Sequence, residues 1–227
     1  MKLLAIETAT DACSAALAID GVIHERYELA SKDHTQLILP MVDSLIKAAG
    51  LVPADLEGLA FGCGPGSFTG VRIATGSIQG LALGLDLLVM PVSTLAAIAQ
   101  DHFHHHQDNV AFVAMDARMG EIFWGVYQRD ADGFAQLIGE EAVTPAGLVQ
   151  FPNLSGVGLG TGWGVYPQIL LEKLGGRVLH YEIDPLPRAR AIASLGLRGF
   201  TKQLAVPVEQ AMPVYLRDKV AKKESER

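Results

Sequence analysis

The chain carries one succession of elements twice, and that duplication constrains its fold more than any other feature. Residues 2–8, 13–19 and 22–29 are strand-length apolar or alternating runs, and Asp20-Gly21 joins the last two. Asp-Gly between such runs closes a two-residue hairpin. A helix is predicted over 33–49 with Gly50 as its stop, then a strand at 57–62, a helix at 68–84, a strand at 87–92 and a helix from about Ser93. The second half repeats this with strands at 110–116, 121–128 and 134–143, Asp132-Gly133 as the turn, and a short helical stretch near 145–150. A strand at 154–159, a helix at 163–174, a strand at 177–183 and a helix over 187–203 complete it. The order is βββαβαβα in both halves, so an α/β protein of two similar lobes is expected, each a mixed sheet covered by helices.

A length of 227 residues with 49% apolar side chains is ample for such a core. The expected division is a first lobe at 1–107, a second at 108–212 and a tail at 213–227, partly disordered, with the segment from about 187 packing back on the first lobe. The plan resembles the actin, hexokinase and Hsp70 (ASKHA) superfamily, a likeness of fold that carries no function by itself. The formal charge of −7 has no compensating basic run beyond Arg217–Arg227, which argues against unaided nucleic-acid binding. The apolar run after Lys2 ends at Glu7, too short for a signal core or a membrane span, so a cytoplasmic protein is expected. Cys13 and Cys63 have no metal-ligand spacing and read as reduced, packed thiols.

The turn at Gly62-Cys63-Gly64-Pro65-Gly66-Ser67-Phe68-Thr69-Gly70 joins a buried strand to a helix. Such a turn either presents amides to a phosphate or lets two backbones touch. Together with Leu4-Ala5-Ile6-Glu7-Thr8, His34-Thr35-Gln36, Met115-Asp116-Ala117-Arg118-Met119-Gly120-Glu121, Gly160-Thr161-Gly162-Trp163 and Pro213-Val214-Tyr215-Leu216-Arg217, it makes the chain resemble the bacterial TsaB (YeaZ) family of tRNA threonylcarbamoyladenosine biosynthesis proteins. The resemblance covers nearly the whole chain. It implies a noncatalytic partner of the related ligase TsaD, which transfers a threonylcarbamoyl group to N6 of adenosine 37 in tRNA, with the ATPase TsaE in the same assembly. It further implies a homodimer when free, tRNA contact only through the complex, no membrane and no intrinsic cofactor, with a nucleotide possible at the joint with TsaD. The alternatives are a small-molecule kinase of this superfamily or a metallopeptidase.

Kinases of the superfamily wrap ATP phosphates with glycine-rich hairpins. The first hairpin here, Glu7-Thr8-Ala9-Thr10-Asp11-Ala12, has no glycine, which disfavours close approach of a phosphate. In Asp116-Ala117-Arg118-Met119-Gly120-Glu121, Arg118 either binds an anion through its forked donors or pairs with Asp116 or Glu121. By the resemblance, the histidine pair that binds metal in TsaD falls here on Thr94 and Ile98, which cannot ligate. His102 and His106 have the four-residue spacing and, with Asp101, form a rival Zn²⁺ or Ni²⁺ set. They also lie where a helix should end, where the dipole favours histidine without metal; no metal site is expected. Ser67 lacks the Gly-x-Ser-x-Gly context of a nucleophile and reads as a helix N-cap.

Two helices remain unexplained. The one at 68–84 contains Gly70, Gly76, Gly80 and Gly84, each interior glycine costing about 1 kcal/mol relative to alanine. The one at 33–49 spreads apolar residues over more than one face and contains Pro40. Either the two pack together within one lobe or they form a partner surface; the resemblance, in which this pair bundles with TsaD, favours the second. The candidate contacts are Leu37, Met41, Leu45, Phe68, Val71, Arg72, Gly76, Gly80 and Gly84, with Arg118 a possible nucleotide or anion contact.

Overall fold

The computed structural model describes residues 1–30 and 33–217. The expected tail beyond 217 lies outside the described residues. The first half forms β1 (Leu3–Glu7), β2 (Ala12–Ile19), β3 (Val22–Leu29), α1 (His34–Ala48), β4 (Gly58–Gly64), α2 (Phe68–Leu85), β5 (Val89–Ser93) and α3 (Thr94–His105). The second forms β6 (Val110–Asp116), β7 (Glu121–Arg129), β8 (Ala135–Pro145), β9 (Gly156–Leu159), α4 (Thr161–Val165), α5 (Pro167–Leu174), β10 (Val178–Glu182) and α6 (Ala189–Thr201). The sheets run β3-β2-β1-β4-β5 and β8-β7-β6-β9-β10. Each pairs its first three strands antiparallel and its last three parallel. This is the two-lobed plan of the actin, hexokinase and Hsp70 superfamily.

Local chemistry accounts for most boundaries. Asp20 and Gly21 both take positive φ, as a type I′ hairpin requires. Ser67 caps α2, its hydroxyl accepting from the Gly70 amide, and Ser93 caps α3 by accepting from Leu95 and Ala96. α1 runs through Pro40, which faces solvent. The helix expected over 163–174 is two helices, because Pro167 disfavours a helical Tyr166 (φ −124°, ψ 39°) and restarts the chain as the first residue of α5. The stretch near 145–150 is a single 3₁₀ turn, Ala146–Leu148.

Both faces of the first sheet are buried, so β1 is apolar at every position before Glu7. Leu4, Ile6, Ala15 and Leu17 pack with Ile38, Leu45, Ala74 and Ile78 of α1 and α2. Leu3, Ala5, Ala16 and Ala60 meet Ala189, Ile192 and Ala193 of α6 on the other face. α6 therefore returns to the first sheet, and a methyl at Gly196 would lie 2.8 Å from the Ala60 methyl. α3 covers the second sheet instead: Leu95, Ile98, Ala99 and Phe103 pack with Ala111, Val113 and Met115. A boundary at 107 thus follows the strands but not the helices. At the junction, Glu141 of β8 accepts hydrogen bonds from Ser93 and Tyr127. Cys13 and Cys63 are free and buried, and burial pushes their thiols up to about 11 and about 12. They remain protonated packing groups.

Candidate interaction surface

The glycine-rich turn after β4 brings two backbones together. The Ser67 amide donates to the Ala9 carbonyl at 2.7 Å, and the Thr8 hydroxyl donates to the Gly70 carbonyl at 2.7 Å. A methyl at Gly70 would lie 2.1 Å from the Thr8 carbonyl oxygen, and one at Gly66 2.5 Å from that of Ala9. The first hairpin and the turn therefore occupy the space that a phosphate loop would leave open. Beneath them Glu7 is fully buried. Its Oε1 accepts from the Ala9 amide at 2.5 Å, and neither its Oε2 nor the nearby Thr94 Oγ1 has a hydrogen-bond partner. Burial, partly offset by the backbone amides of Ala9 and Thr8, raises the Glu7 carboxyl to about 7.

The second lobe repeats the device. A methyl at Gly160 would come 2.7 Å from the Ala114 carbonyl oxygen, and one at Gly162 would meet Ala114 at 2.9 Å. Thr161 accepts the Asp116 amide through its hydroxyl at 3.0 Å. Arg118, at φ +62° and largely exposed, pairs with Asp116 at 3.2 Å. Glu121 is engaged by Arg217 at 2.6 Å.

The outward side of α2 is different. Phe68, Arg72, Gly76, Gly80 and Gly84 follow one another at four-residue spacing, all exposed, and so form one stripe along the helix. Methyl groups at Gly76, Gly80 or Gly84 would meet nothing within 4 Å. Leu83, 75% exposed, lies beside the stripe, and Phe68 is 55% exposed. The C-terminal segment widens the surface. The Val214 amide donates to the Cys63 carbonyl at 2.7 Å, and Gln79 donates to the Ala211 carbonyl at 2.9 Å. These bonds place exposed Met212 and Tyr215 beside α2, with the Arg72 guanidinium 3.2 Å above the Phe68 ring and 5.3 Å from that of Tyr215. Met212, Leu83 and Tyr215 were not among the sequence candidates. Tyr215 lies in a quoted motif, but nothing local ties it to Phe68.

Three candidates are corrected. Met41 (9% exposed), Leu45 (2%) and Val71 (2%) are buried, and Leu37 packs partly buried against the same core. The broad apolar arc of α1 is used internally, because the helix meets the sheet, Leu51 and Leu56 of the following connector, and α2. Gly70 belongs to internal packing as well.

Thr94 and Ile98 are buried. Asp101, the expected third donor beside His102 and His106, is bound instead by Arg190 at 2.7 Å. Among the described residues the grouping with metal-ligand geometry is His102, His106 and Asp108. The His102 Nε2 lies 2.9 Å from Asp108 Oδ2, and burial lowers His102 below the usual imidazole range, opposed by that hydrogen bond.

Residues 16–173 match the family model described as TsaD, tRNA N6-adenosine threonylcarbamoyltransferase. The chain is 44% identical over 225 residues to the tRNA threonylcarbamoyladenosine biosynthesis protein TsaB of Escherichia coli, covering 97% of this chain and 96% of that protein. It is 29% identical to TsaB of Bacillus subtilis, covering 96% and 94%. YeaZ from Pseudomonas aeruginosa superposes with a TM-score of 0.87 at 40% identity, covering 95% of this chain and 99% of that one. A second Pseudomonas aeruginosa structure, described as similar to peptidase YeaZ, gives 0.89 at 40% identity. With matches across nearly its whole length and a shared two-lobed plan, the chain belongs to the TsaB (YeaZ) family of tRNA threonylcarbamoyladenosine biosynthesis proteins, within the wider TsaD-type family.

Proposed function

We propose that this chain is a noncatalytic scaffold subunit in tRNA N6-threonylcarbamoyladenosine formation, binding and activating TsaD through the outer face of α2. TsaE joins the same assembly, and tRNA is held only through the complex. Family membership ties the chain to this modification. The observation that carries the binding mode is the stripe from Phe68 to Gly84, bordered by Leu83, Met212 and Tyr215. Gly76, Gly80 and Gly84 cost helix stability, and side chains there would meet nothing among the described residues, so their use lies in letting another backbone approach. An apolar helix face of this kind suits an α-helical partner. Until TsaD takes it, a second copy satisfies the same face by two-fold symmetry.

The noncatalytic reading is supported by what surrounds the two glycine-rich turns. In the first lobe the turn glycines are pressed against the hairpin backbone and Glu7 is sealed beneath them. In the second, Asp116 is occupied by Arg118. No nucleotide is therefore intrinsic to the chain, although exposed Arg118 is free to exchange its weak surface pairing for an anion or nucleotide at the joint with TsaD.

Calorimetric titration against TsaD tests the surface. Gly80→Leu and Leu83→Asp alter exposed positions and should leave the thermal midpoint within a few degrees. Each should weaken the complex at least tenfold, about 1.4 kcal/mol. Normal binding by both folded variants would move the partner surface off α2. The chain alone should neither hydrolyse ATP nor transfer threonylcarbamoyl to tRNA; turnover persisting after TsaD and TsaE are rigorously removed would make it an enzyme.

A further inference from the structure

We propose that the end of α3 carries a binding site for a divalent d-block cation, zinc foremost, with His102, His106 and Asp108 as ligands and Glu182 as the outer carboxylate. This replaces the expectation of a metal-free helix end, and it rests on three features of the geometry. First, one helical turn brings the two imidazoles together, with ring centroids 4.3 Å apart; the rings are stacked, 8° from parallel, so the exposed His106 ring must turn out of the stack to aim its nitrogen lone pair at a shared ion. Second, Asp108 reaches back from the connector to β6, so that one donor atom from each residue lies within 4.8 Å of the other two. Tetrahedral legs of about 2.0–2.2 Å put neighbouring donors roughly 3.3 Å apart. Opening the 2.9 Å contact between His102 and Asp108 by a few tenths of an ångström, together with rotation of the His106 ring, would admit the ion.

Third, the other ring nitrogen of His102 faces Glu182 Oε1 at 3.9 Å, from the end of β10. That oxygen also faces His180 Nε2 at 3.7 Å; if it closed to hydrogen-bond distance on metal binding, it would fix the His102 tautomer and raise its basicity, the usual arrangement around protein-bound zinc. A plain hydrogen bond between His102 and Asp108 explains those two residues. It does not involve the His106 ring, which is exposed and stacked on His102 and which a shared ion would recruit as the third ligand. Two imidazoles and one carboxylate suit zinc, copper or nickel and not magnesium or calcium, which take oxygen ligands. The site borders a cleft of about 280 Å³ shared with Tyr27, Asp101 and Arg188, which offers an entry path and room for a water as fourth ligand.

The chain should be prepared without a histidine tag, stripped with chelator and titrated with ZnCl₂ against a chromogenic chelator. One equivalent should bind, with a raised melting temperature, and millimolar Mg²⁺ should not compete. His106→Gln and Asp108→Asn change side chains outside the core, so they should fold, and each should weaken zinc by at least about tenfold. Glu182→Gln should weaken it by less. Absence of stoichiometric binding, or binding that Mg²⁺ displaces, or binding unchanged in both His106→Gln and Asp108→Asn, would each overturn the proposal.

Discussion

The two lobes share a strand order and a glycine-rich turn at the same point of that order, yet they use the turn to different ends. After β4, Gly66 and Gly70 press on the backbone of the first hairpin and close it over a buried acid, Glu7. After β9, Gly160 and Gly162 press on Ala114 of β6, and the acid ending that strand, Asp116, pairs with the exposed Arg118 instead of being sealed in. The helices that follow diverge as well. α2 runs unbroken for 18 residues and leaves an apolar glycine stripe outward, whereas its counterpart is cut in two at Tyr166-Pro167. The difference teaches that a glycine motif at a strand-to-helix turn specifies close approach, not what approaches. A phosphate, a neighbouring backbone and a partner helix all require the missing Cβ.

Alanine substitutions at matched turn positions should give the largest effect. Gly70→Ala sets a methyl 2.1 Å from a backbone oxygen, while Gly162→Ala meets Ala114 at 2.9 Å. Overpacking against main chain cannot be relieved by a rotamer change, so Gly70→Ala should cost about 3 kcal/mol and Gly162→Ala roughly 1–2 kcal/mol in urea unfolding. Equal costs would mean that the two turns are packed alike.

The buried acid gives the next largest effect. The Glu7 carboxyl has an ordinary value of 4.5 and a folded value of about 7. Below pH 4.5 it is protonated in both states and burial carries no charge penalty. Between 4.5 and 7 the unfolded chain releases a proton that the folded chain keeps, so stability falls as pH rises. The loss levels off above pH 7 at roughly 3 kcal/mol as an upper bound. Glu7→Gln should remove this slope: the variant should gain on the parent between pH 5 and pH 8 in paired denaturant melts. A constant difference across that range would show that Glu7 is already ionised, or equally protonated, throughout.

The smallest effect falls on the outward stripe. Gly80→Ala adds a methyl that meets nothing within 4 Å and removes a helix-interior glycine, so the chain, measured dilute enough to be monomeric, should be more stable by up to about 1 kcal/mol. Destabilisation would place Gly80 against the body of the first lobe and remove the contrast between the two ends of α2.

The elements and their duplication were legible because they rest on local chemistry: period-two runs for the strands, Asp-Gly for both hairpins, serine caps for α2 and α3. The break at Tyr166 was also written locally, in Pro167, although the apolar pattern across it reads as one helix. Which side of each helix faces out was not legible. Leu45 and Met41 look surplus to a single stripe, but the connector through Leu51 and Leu56 supplies a second wall that periodicity does not contain. The same holds for Tyr215 beside Phe68 and for Asp108, rather than Asp101, beside His102.

By itself the sequence determined the two-lobed plan, the glycine turns and the family, since each depends on residues within a few positions of one another or on a motif order preserved along the chain. Tertiary structure alone decided that the turns press against neighbouring backbone, that Gly76, Gly80 and Gly84 face outward while Gly70 faces inward, and that His102, His106, Asp108 and Glu182 lie close together. Those outcomes depend on distances between segments far apart in the chain, and burial and donor geometry exist only once the sheets and helices have packed.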